Sequence, residues 1–188
     1  MFLFQGTRPD LAFAISQASR FNKNFNSEHW GMVRRIFRYL KSTADLKLVY
    51  RNNGNSTLTG YCDASYASEE DVRSRSGYVF ILQGGAISWF SKRQPTMATS
   101  STIAEYRAIT EIVKESIALT NLGKELGILN KDIPTRIIGD NQPAILLIKN
   151  SNYSPRTKHV KVQNEFIKEI LENKEITLSY INTHQMFI

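Results

Sequence analysis

One cysteine, Cys62, in 188 residues excludes an internal disulfide, and with only three histidines no Cys/His spacing of a zinc finger or knuckle can be assembled. Zinc is therefore a poor candidate, and the lone thiol is compatible with a reducing compartment. No apolar run approaches the roughly 20 residues needed to cross a bilayer, and Met1-Phe-Leu-Phe4 is too short for the apolar part of a secretion signal. The chain is accordingly read as soluble and intracellular, cytoplasmic or nuclear, not secreted and with no membrane partner. Paired Gly-rich phosphate-binding turns are also absent, which removes a sugar-kinase-like or actin-like ATPase.

What the chain does carry is positive charge, unevenly placed. It holds 24 Lys+Arg against 17 Asp+Glu, a net +7. Residues 1–52 contribute nine basic and three acidic side chains, whereas 53–188 contribute fifteen and fourteen. A polyanion such as nucleic acid fits a cationic segment of this kind, and so does a plain solvated face.

Residues from Thr7-Arg-Pro-Asp10 to Phe21 carry Leu11, Ala14, Ile15 and Ala18 at helical spacing, with Pro9 in the first turn. A second helix, N-capped by Ser27, has an apolar stripe of Val33, Ile36, Phe37 and Leu40 and a basic remainder of Arg34, Arg35, Arg38 and Lys41. The turn-forming cluster Asn52-Asn-Gly-Asn-Ser56 coincides with the change in charge, which divides the chain into 1–52 and 53–188. Beyond it, strand-like runs at Leu58–Ser65, Gly77–Leu82 and Ala86–Lys92 are joined by short polar or Gly-rich turns and so form an antiparallel meander. A helix from about Thr102 to Leu126, a strand Thr135–Asp140, helices from about Pro143 and His159, and a last strand Glu175–Ile181 complete an order that predicts a mixed α/β sheet with helices on both faces.

Three acids stand where a merely solvated charge is costly. Alternation puts Asp63 with Tyr61 and Ser65 on one face of its strand and Cys62 on the other, though Asp63 also precedes a loop and can start a turn. At roughly 100° per residue, Ile109, Ile112, Val113 and Leu119 fall within about 80° of Glu105 while Arg107 and Lys114 lie opposite, so Glu105 is a charge on the apolar face. The competing explanation is a capping box, Thr102-Ile-Ala-Glu105. Asp140 closes Arg136-Ile-Ile-Gly-Asp140 where a strand hands over to a helix, a position that suits an N-cap and equally a ligand-binding acid at the carboxyl end of a parallel strand. Carboxylates forced together repel unless cations neutralise them, and hard divalent ions prefer such oxygens. Trp30 and Trp89 read as core or interface residues, and His29 and His184 receive no role.

Taken in order, Tyr61-Cys-Asp-Ala-Ser-Tyr-Ala67, Arg73-Ser-Arg-Ser-Gly-Tyr-Val-Phe80, Ile87-Ser-Trp-Phe-Ser-Lys-Arg-Gln94, Ser100-Ser-Thr-Ile-Ala-Glu-Tyr106, Gly139-Asp-Asn-Gln142 and Arg156-Thr-Lys-His-Val160 closely resemble the ribonuclease H domain that ends the Pol polyproteins of copia-type retrotransposons. Gly6-Thr-Arg-Pro-Asp10 and the stretch from His29-Trp30 to Arg38-Tyr-Leu-Lys41 resemble the C-terminal end of the reverse transcriptase just upstream.

The resemblance implies an RNase H-like fold, a five-stranded mixed sheet with three antiparallel strands then two parallel, flanked by helices and preceded by the α-helical segment 1–52. It implies that Asp63, Glu105 and Asp140 match three of four metal-binding carboxylates. Two Mg2+ ions about 4 Å apart, with Mn2+ as a substitute, then serve cleavage of the RNA strand of an RNA–DNA hybrid. Arg73, Arg75, Lys92 and Arg93 become candidate phosphate contacts beside the Arg34, Arg35, Arg38 and Lys41 face, and His159 a candidate for product release or substrate contact. The rest of the reverse transcriptase is the implied partner, and a virus-like particle one implied location. Laid on Tyr180 and Thr183, the family spacing puts the fourth aspartate just beyond Ile188, so the chain as it stands is expected to bind metal less well. The alternative function is a catalytically inactive, retrotransposon-derived remnant or nucleic-acid-binding module using the α-helical basic face.

Overall fold

The computed structural model describes residues 2–51, 57–67, 72–130, 132–150 and 158–186, with side chains of the last stretch from Val162 onward. Three helices come first: α1 (Phe2–Gly6), α2 (Ala12–Ser19), entered through a 3-10 turn at Pro9–Leu11, and α3 (Ser27–Ser42). Strands β1 (Thr59–Ser65), β2 (Arg75–Leu82) and β3 (Gly85–Arg93) follow, then α4 (Ser101–Glu125), β4 (Thr135–Gly139), α5 (Gln142–Lys149), α6 (Lys158–Glu172) and β5 (Ile176–Tyr180). The sheet order is β3-β2-β1-β4-β5. Pairs β1/β2 and β2/β3 are antiparallel, and β1/β4 and β4/β5 parallel. The expected five-stranded mixed sheet, preceded by helices, is therefore present.

Local chemistry explains several of these elements. The two-residue connection of β2 to β3 places Gln83 and Gly84 at φ 52° and 78°, the positive values that match a tight hairpin to strand twist. Gly60, Cys62 and Ala64 alternate inward along β1, and the core on their face is completed by Ile109 and Ile112 of α4, Ile145 and Ile148 of α5, and Ile167 and Ile170 of α6. Contact between β1 and α4 is close enough that a Cβ on Gly60 would meet Ile112 Cδ1 and Phe80 Cε1, each at 2.7 Å. Overpacking of this kind costs about 1–3 kcal/mol, so Gly60→Val should lower the unfolding free energy from urea titration by that amount, and an unchanged value would show a looser β1–α4 contact.

The opposite face of β2 and β3 is covered by the N-terminal helices. Trp89 Nε1–H donates to the Phe4 carbonyl, and the Tyr50 hydroxyl donates to the Ala86 carbonyl at 2.7 Å. Arg8, only 8% exposed, donates to Asp10 and to the Thr43 hydroxyl, both at 2.7 Å, and ties the start of α2 to the end of α3. That clamp accounts for the Thr7-Arg-Pro-Asp10 motif in structural terms. The turn at 52–56, where the sequence divides by charge, lies outside the described residues.

Three local expectations are corrected. Asn26, not Ser27, caps α3, in a reciprocal box where Asn26 Oδ1 accepts from the His29 N–H and His29 Nδ1 accepts from the Asn26 N–H, both at 3.0 Å. Phe37 is 64% exposed although it lies on the apolar stripe, because nothing described packs over that part of α3. Trp30 is 57% exposed, which removes the core half of its reading as a core or interface residue.

Candidate metal centre

Parallel pairing of β1 with β4 ends with Cys62 opposite Gly139, so the next residues, Asp63 and Asp140, emerge side by side where that ladder stops. Glu105 enters from the first turns of α4, whose inner face lies on β1, and is only 7% exposed. One carboxylate oxygen from each acid lies within 4.8 Å of the others.

Helix capping does not explain any of this convergence. Ser100 caps α4, its hydroxyl accepting from the Ile103 N–H at 3.2 Å, which leaves Glu105 two residues beyond the position a capping box requires. Asn141 caps α5 by accepting from the Ala144 N–H at 2.9 Å, so Asp140 is not the cap.

The electrostatics are those of acids pressed together. Burial, with the charges of Asp63 and Asp140 adding to it, pushes the Glu105 carboxyl up to about 8. Asp63 is raised by burial first and by Asp140 second, with the Ala64 N–H and a hydrogen bond from Glu105 pulling the other way. Burial and the same three acids push the Cys62 thiol well up, so it stays protonated and offers no soft ligand. The donor set is all oxygen, convergent and mutually repulsive, which fits a hard divalent cation and not zinc or a redox metal.

Other expected residues fall in different places. Arg34, Arg35, Arg38 and Lys41 are exposed along α3, and Lys92 is exposed on β3. Arg73 and Arg93 are half-buried, Arg73 donating to the Pro95 carbonyl at 3.2 Å. Arg75 is 4% exposed, which corrects its reading as a surface phosphate contact. Its register on β2, opposite Ser65, turns it under α2, where it donates to the Ser16 hydroxyl at 2.7 Å and lies 5.4 Å from the Phe13 ring centroid. A cavity of about 630 Å³ between α2 and this face is lined by Phe13, Arg75, Trp89 and Asp63. His159 falls in α6, but its side chain lies outside the described residues.

Two residues that support the site had no assigned role in the sequence. Gln94, 4% exposed, donates to the Ser76 hydroxyl and to the Ala104 carbonyl, both at 2.9 Å, and so anchors the start of α4 next to Glu105. Thr183 donates to Asp140 Oδ2 at 2.7 Å. Gln94 ends the Ile87–Gln94 motif, directly after β3.

No family model matches the chain. The retrovirus-related Pol polyprotein from transposon TNT 1-94 of Nicotiana tabacum is 41% identical over 186 residues, 98% of this chain and 14% of that polyprotein. The chain belongs to the copia-type Pol polyproteins. It spans about one seventh of the length of that relative. Secreted RxLR effector protein 161 of Plasmopara viticola is also similar, 45% identical over 121 residues, 64% of this chain and 85% of that protein. Among solved structures, LC11-RNase H1 in complex with RNA/DNA hybrid matches with a TM-score of 0.50 and 14% identity, over 69% of this chain and 88% of that one. At that identity the likeness is one of fold, and it gives this copia-type Pol chain the RNase H-like architecture. Among the described residues no helix is long and apolar enough to cross a membrane.

Proposed function

We propose that this chain is the ribonuclease H portion of a copia-type Pol polyprotein, hydrolysing the RNA strand of RNA–DNA hybrids, with Asp63, Glu105 and Asp140 holding divalent cations, Mg2+ or Mn2+. The observation that carries the reading is the meeting of three acids within 4.8 Å at the strand ends, with both helix-cap positions filled by other residues. Cations bound there supply Lewis-acid stabilisation of phosphate charge and a more acidic water.

The chain's own residues do the rest. Burial and its acid neighbours push the Glu105 carboxyl up to about 8 and raise Asp63 in the same direction, so protons must leave before both act as anionic ligands. Rigid elements, β1 and the 25-residue α4, hold two of the three acids. The exposed cations of α3 add sequence-independent attraction for a nucleic-acid backbone, which salt should weaken. Selectivity for the hybrid rests on 2′-hydroxyls of one strand and phosphates of the other. Under this reading residues 1–52 are the end of the reverse transcriptase, its remainder is the partner, and the site of action is inside the cell.

The test incubates the chain, alone and carrying the segment that follows the matched region in the tobacco relative, with an end-labelled hybrid. Metal-dependent cutting of the RNA strand, leaving 5′-phosphate and 3′-hydroxyl ends, is the expected result. A hybrid that stays intact in Mg2+ and in Mn2+ at every protein concentration would falsify the enzyme reading.

A further inference from the structure

Asp140 is the least constrained of the three acids. Asp63 lies within β1 and Glu105 within α4, whereas Asp140 is the single residue between the end of β4 and the Asn141 cap of α5. Its backbone is held on both sides, but its carboxylate needs a partner of its own. That partner is Thr183, whose Oγ1–H donates to Asp140 Oδ2 at 2.7 Å from 43 residues further along the chain.

Thr183 is presented by a built support. Strand β5 pairs in parallel with β4 up to Gly139 opposite Tyr180, and the Ile181 N–H donates to the Gly139 carbonyl at 3.1 Å, which extends the ladder one residue past the strand. Asn182 then caps the 3-10 turn Thr183–Gln185, its Oδ1 accepting from the His184 N–H at 3.1 Å while its carbonyl accepts from the Gln185 N–H at 2.8 Å. Ladder and capped turn together bring the hydroxyl to Asp140 with few free torsions.

We propose that Thr183 is a positioning residue for the metal centre, its hydroxyl fixing the orientation in which the Asp140 carboxylate joins Asp63 and Glu105. The proposal rests on the reading that these acids hold a divalent cation. A carboxylate has about four lone-pair sites, so one donated hydrogen bond leaves capacity on both oxygens for a cation. Fixing the side chain in advance removes rotamer freedom that cation binding would otherwise have to freeze, and loss of such an outer partner typically weakens metal binding about 10–100-fold. Valine keeps the shape of threonine without its hydroxyl, and because Thr183 is exposed the exchange leaves the core untouched.

Mn2+ binding to the full chain, followed by electron paramagnetic resonance, separates the outcomes without relying on catalysis. Thr183→Val should weaken binding about 10–100-fold, Thr183→Ser should restore most of the loss, and the melting temperature in EDTA should stay close to that of the parent. If Thr183→Val binds Mn2+ as tightly as the parent while Asp63→Asn loses it, the metal centre stands and the role of Thr183 is overturned. A serine variant as weak as valine overturns the hydroxyl assignment. A parent chain without a saturable Mn2+ site sensitive to Asp63→Asn overturns the centre and the role of Thr183 with it.

Discussion

Asp63→Asn should reduce metal-dependent hybrid cleavage by on the order of 10³-fold, since a bound cation is worth several kcal/mol at the transition state and each 1.4 kcal/mol is tenfold. Above pH 8, where Glu105 is ionised, the same variant should raise the melting temperature in EDTA by a few degrees, a shift that for a chain of this size corresponds to about 1 kcal/mol. The gain arises because Asp63 is one of the two charges that burden buried Glu105, and asparagine removes that charge at nearly constant volume. Opposite signs for activity and metal-free stability are the signature of acids kept together for a cation. A structural acid would behave differently, because losing its hydrogen bonds would lower stability and activity in parallel. Calorimetry in EDTA beside hybrid cleavage in Mg2+ decides the matter, and a lower melting temperature for Asp63→Asn would sink the metal reading of this residue.

Most of the sheet and α4 were legible because their signals are local. Alternation along Leu58–Ser65 places Cys62 and Asp63 on opposite faces, and helical spacing marks Glu105 as a charge on the apolar face of α4, the face that the structure buries. The site was legible only through resemblance, for a physical reason. What joins Asp63 to Asp140 is the parallel register of Cys62 with Gly139, a tertiary fact that no spacing in the chain encodes. Cap assignments slipped to neighbouring polar residues, Asn26 for Ser27, Ser100 for Thr102 and Asn141 for Asp140, because the cap is set by which residue stays in extended backbone while the next turns helical. Arg75 shows the complementary failure, a cation in a polar motif whose strand register carries it beneath α2. The exposure of Phe37 makes a related point: periodicity reports that a helix has an apolar face and not whether anything covers it.

The stability of the metal-free chain should fall as pH rises from about 5 to about 9, by on the order of a few kcal/mol, and Mg2+ should restore most of it at the alkaline end. In the folded chain Glu105 keeps its proton to about pH 8, against an ordinary value of 4.5. Between those values the folded state therefore binds more protons than the unfolded state, which makes the slope of unfolding free energy with pH negative. Below 4.5 both states are protonated and the loss is absent, whereas above 8 both are ionised and it is complete. The raised Asp63 carboxyl acts in the same direction from the lower end of the window. A divalent cation substitutes for the Glu105 proton, so its binding releases protons and tightens with pH until about 8, where nothing remains to displace. Urea midpoints in EDTA and in saturating Mg2+ across this range test both halves of the argument, and Glu105→Gln supplies the control. Glutamine has no proton to lose, so its EDTA curve should be nearly flat where the parent declines. A parent curve as flat as that of the variant would mean that the three acids do not repel strongly enough in the folded chain to require a cation.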